Sequence, residues 1–219
     1  MANEMIYSVY IGNTDEKSCL CSLEKLPSAS NTKQAYKIED IADFSVEADY
    51  PRIAIQTIDI IKKYSGTKYL VVDQTNVGTS VTDLFLNDSI PVQPIIAVNS
   101  PLLSQYEGAF MVPKIDLFNN MLILMEETNK SQSVASVHES PRLSSELIQL
   151  LVDLRTDRKT VIPRLLSREN KDLSAIYNHI YRAFAAACWY AEYQRKNPLH
   201  KPVYNSITGM SRNVVVFKD

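Results

Sequence analysis

Hydrophobic and polar positions follow two periods along this chain, and the switches between them mark its elements. Residues 5–11, MIYSVYI, are a nearly continuous β-branched and aromatic run and predict a strand. Polar residues 12–17 form a turn, and 18–26 predict a second strand, so the pair reads as a β-hairpin. Cys19 and Cys21 alternate with Leu20, which puts both thiols on one face of that strand. After a Ser- and Asn-rich loop, residues 35–44 predict a third strand. The period then changes. Asp49 and Pro51 mark a helix start, and Ile53, Thr57, Ile60, Ile61 and Tyr64 make a stripe at helical spacing that ends near Gly66. Residues 68–72, KYLVV, predict a strand buried on both faces and ending at Asp73. A polar turn with Gly78 follows, and Val81, Leu84 and Phe85 recur at helical spacing. Residues 92–98 predict another buried strand, although Pro91 and Pro94 weaken its claim to the centre of a sheet.

In the second half, Pro113 suits a first helical turn, with Leu117, Met121, Leu124 and Met125 on one face. Residues 133–138 predict a weak strand, and Ser140-Pro141 cap a helix with Leu143, Leu147, Leu150, Leu151 and Leu154 inward. Residues 155–170 are charged and read as a loop or exposed hairpin. Residues 171–196 form the longest predicted helix, with Ala183 to Ala187 small enough for close packing. Beyond Asn197, prolines and Gly209 break any helix, and Val214 to Phe217 read as an added edge strand or a loosely held terminus. The order of elements predicts an α/β chain with a mixed central β-sheet flanked by helices, one domain over 1–197 and a tail over 198–219.

Composition narrows the functional classes. With 219 residues, 45% hydrophobic, 22% charged and a net charge of -2, the chain has ordinary globular character. It is not held to nucleic acid by bulk charge, which leaves only a local basic patch for that purpose. Three cysteines indicate no disulfide framework, and Cys19 and Cys21 read as packed thiols in a reducing compartment. The lack of a long apolar run or a signal pattern gives the expectation of no membrane partner and a cytoplasmic location. Five glycines provide no phosphate-cradling loop.

Asp73 carries the strongest chemical signal. A carboxylate at the carboxyl end of a buried strand, before a turn into a helix, occupies the place where open α/β sheets bind ligands. The same residue also suits a simple brace for the turn. The surrounding VVDQTNVGTSVTDLF resembles the pattern D-x-T-x-V-G-x-x-V-x-D-hydrophobic of the carboxyl-terminal nuclease domain of phage large terminase subunits, through Asp73, Thr75, Val77, Gly78, Val81, Asp83 and Leu84. The first hairpin is similar to the same family at Gly12, Asp15, Ser18 and Glu24-Lys25 with one residue deleted. Tyr50-Pro51 before the first helix, FMVPKIDL, and Leu143 with Glu146-Leu147 continue the likeness, which covers 5–196.

The resemblance implies an RNase H-like three-layer fold, and a nuclease that holds two Mg²⁺ or Mn²⁺ ions on at least three carboxylates. Of these, Asp73 is present as metal ligand. The family's first aspartate falls on Tyr10. Aligning the alanines of the last helix puts Asn178 and His179 where its final aspartates belong, and a shift of seven residues offers Asp172 instead. Asp15 is the candidate substitute for the first ligand. His179 reads as a ligand facing Asp73 or as a satisfied helix histidine. Lys114, Arg182 and Arg142 are candidates for DNA phosphate. The reading that follows is a phage or prophage terminase-nuclease-like protein of the bacterial cytoplasm, degenerate and weakly active or inactive, that binds DNA or a packaging partner. An active two-metal endonuclease and a structural or assembly protein are the alternatives. With no ATPase half ahead of the first strand, the chain is not expected to be a complete packaging motor.

Overall fold

The computed structural model describes residues 4–13, 15–26, 36–86, 90–130 and 171–198. The strand, helix, charged loop and tail expected within 131–170 and 199–219 lie outside them. Among the described residues, β1 (Glu4–Tyr10), β2 (Ser18–Lys25) and β3 (Tyr36–Phe44) form an antiparallel meander. Helix α1 (Tyr50–Lys62) leads to β4 (Thr67–Asp73), which pairs parallel with β1. A 3₁₀ helix (Thr79–Phe85) connects β4 to β5 (Val92–Val98), which is parallel to β4. The short β6 (Ser104–Tyr106) and β7 (Ala109–Pro113) close the far edge, and α2 (Lys114–Lys130) and α3 (Lys171–Lys196) follow.

The seven strands lie in the order β3-β2-β1-β4-β5-β7-β6. An antiparallel 3-2-1 meander continuing into parallel strands 4 and 5, with helices on both faces, is the RNase H-like arrangement, as expected. Alternation along the strands divides the core in two. Ile6, Tyr10, Cys19, Cys21, Val71, Ile95 and Phe110 point to the face covered by α2 and α3. Met5, Tyr7, Val9, Leu20, Leu70 and Val72 point to the face of α1 and the 3₁₀ helix. Cys19 and Cys21 share a face and Leu20 takes the other, and both thiols are buried and outside any disulfide.

Local chemistry explains the boundaries. Asp49 caps α1 by accepting the Arg52 N–H at 2.8 Å, with Pro51 in the first turn. Of the stripe read at 53–64, Ile53, Thr57 and Ile61 are buried and Ile60 and Tyr64 half-buried, with Ala54 buried beside them. Pro94 belongs to an interior strand after all. The β5–β7 ladder begins one residue later, at Ile95↔Phe110, so no rung there needs the missing N–H. Pro113 ends β7 instead of opening α2.

Candidate functional site

One row of side chains crosses the sheet at the carboxyl end of β1 and β4. Asp43, Cys19, Tyr10, Asp73 and Ile95 are successive register partners on β3, β2, β1, β4 and β5. Cys19, Tyr10 and Ile95 belong to the face under α3. From α3, His179 and Arg182, one turn apart, reach down onto this row. Arg182 closes on Asp73: its Nε donates to Oδ2 at 3.2 Å, and its Nη2 lies 3.3 Å from Oδ1 and 3.0 Å from Oδ2. Asp73 is fully buried and the Arg182 side chain is 12% exposed. The guanidinium carbon also stacks 4.4 Å from the centroid of the Tyr10 ring.

The β4 turn completes the engagement of Asp73. The Thr75 N–H donates to Asp73 Oδ1 at 3.1 Å, the Thr75 hydroxyl donates to the same oxygen, and the hydroxyl accepts the Ala97 N–H at 2.8 Å. The D-x-T spacing therefore ties the ends of β4 and β5 together. Gly78, at φ 80°, takes the left-handed conformation that a side chain would strain.

Beyond Tyr10 lies a carboxylate that the motif comparison passed over. The Tyr10 hydroxyl donates to Glu16 Oε2 at 2.5 Å, and Asn76 Nδ2 donates to both, at 2.7 and 2.9 Å. The hairpin that carries Glu16 is folded tightly over Gly12, whose N–H donates to Ser18 Oγ at 3.0 Å. A Cβ on Gly12 would meet the Glu16 carbonyl oxygen at 2.4 Å. The signal in the sequence was the Gly12/Ser18 bracket around this turn, but the residue one place beyond Asp15 supplies the carboxylate.

Electrostatics follow from this packing. Burial pushes the Tyr10 phenol well above its ordinary range, and Glu16 adds to the effect while Arg182 opposes it, so Tyr10 is a neutral hydroxyl at physiological pH. Burial works against the charge of Arg182, but Asp73, Tyr10 and Glu16 outweigh it and hold the guanidinium protonated above its usual range.

The structure separates the expected site residues. Asp73 and Arg182 come together, so Arg182 turns inward to a carboxylate and not outward to phosphate. Asp15 is exposed in the hairpin, its own N–H on Asn13 Oδ1. His179 is buried against Asp43 and not Asp73; its Nε2 lies 3.4 Å from Asp43 Oδ1 without a well-formed hydrogen bond, an ion-pair contact when the imidazole is protonated. Interaction with His179 holds the Asp43 carboxyl below its usual range against the opposing effect of burial. Asp172 and Asn178 are in α3, but their side chains are outside the described set. Lys114 is half-buried where β7 passes into α2, at the same carboxyl end of the parallel strands as Asp73 and two strands away. Arg142 lies outside the described residues.

Among the described side chains, the donor set does not fit the divalent ions that a nuclease of this fold would need. Both Asp73 oxygens face a guanidinium, Tyr10 carries no charge, and Glu16 is bonded to Tyr10 and Asn76. Among the described residues, no three His, Cys, Asp or Glu side chains converge as a metal site. No described helix is long and apolar enough to cross a membrane.

No family model matches the chain, and no curated protein matches it in sequence. Among solved structures, Thermus thermophilus RuvC is similar over 90% of this chain and 99% of its own, at 11% identity and a TM-score of 0.42. At that level the fold assignment rests on the strand order itself.

Proposed function

We propose that this chain is a terminase-nuclease-like domain that no longer cleaves nucleic acid and serves as a binding module, in phage DNA packaging as its local motifs suggest. The observation that carries this reading is the buried two-pronged contact between Arg182 and Asp73. Two divalent cations beside DNA need several carboxylates to offset their charge. Here a fixed cation already neutralises the central one, and a phenol stands in place of the first. Plasmid DNA incubated with the purified protein and Mn²⁺ is expected to remain intact, with an Asp73→Ala control indistinguishable. Cleavage that disappears in Asp73→Ala would overturn the proposal and restore the endonuclease reading.

A further inference from the structure

We draw no further inference here: the strongest candidate, the cleft of about 370 Å³ between the β1–β2 hairpin and the β3–α1 loop, rests on the acidic cluster of Glu16, Glu47 and Asp49 in its lining, and nothing else among the described residues shows what would bind there.

Discussion

Asp73 and Arg182 form an ion pair whose value lies in its completeness. A charge removed from water costs several kcal/mol, and the partner offsets that cost only while both are present. Arg182→Ala, which leaves Asp73 fully buried without its cation, is expected to destabilise the fold by about 3–5 kcal/mol in urea denaturation. Replacing both residues with apolar side chains of similar volume is expected to cost less than the single change. A double variant as unstable as the sum of its singles would show that the pair does not act as a unit. The sequence marked Asp73 through its place after a buried run, and Arg182 only as a surface cation. Their pairing joins residues 109 positions apart, and no local period carries such a contact.

At the scale of elements, the hairpin between β1 and β2 places Glu16 on Tyr10. The Gly12 site has no room for a side chain, since a Cβ there would meet the backbone carbonyl oxygens of Glu16 and Lys17 at 2.4 and 2.6 Å. Gly12→Ala is expected to cost about 1–3 kcal/mol by overpacking and to move Glu16 away from Tyr10, visible as altered Tyr10 and Asn76 resonances in NMR spectra. An unchanged stability and spectrum would contradict this geometry. The meander, α1, β4, β5 and α3 were legible because each is long enough for its period to show. The β6–β7 hairpin was not, because β6 has three residues and Phe110 to Pro113 read as the approach to a helix. Val81, Leu84 and Phe85 suggested a helix, and the chain forms a 3₁₀ turn there, with Val81 and Phe85 buried and Leu84 exposed.

Across the whole molecule, burial shapes the response to pH. Tyr7 is pushed up to about 12, and Tyr10, Tyr36, Tyr181 and Tyr190 are raised further, with burial the leading cause in each. In the unfolded chain these phenols titrate near the ordinary value of about 10. Below that pH both states keep the protons. Above it the unfolded state binds fewer, so stability falls as pH rises. Thermal melts are therefore expected to weaken progressively above about pH 10, with the tyrosinate absorbance of these five residues appearing only as the protein unfolds. Tyrosinate formation in the folded state near pH 10 by all these residues would contradict their burial.

The cation resident at Asp73 is the guanidinium of Arg182. Titrating the protein with Mn²⁺ and measuring free ion by electron paramagnetic resonance tests it most directly. No saturable Mn²⁺ uptake that depends on Asp73 is expected, with wild type and Asp73→Ala giving the same curve. Saturable binding by the wild type, lost in Asp73→Ala, would contradict it.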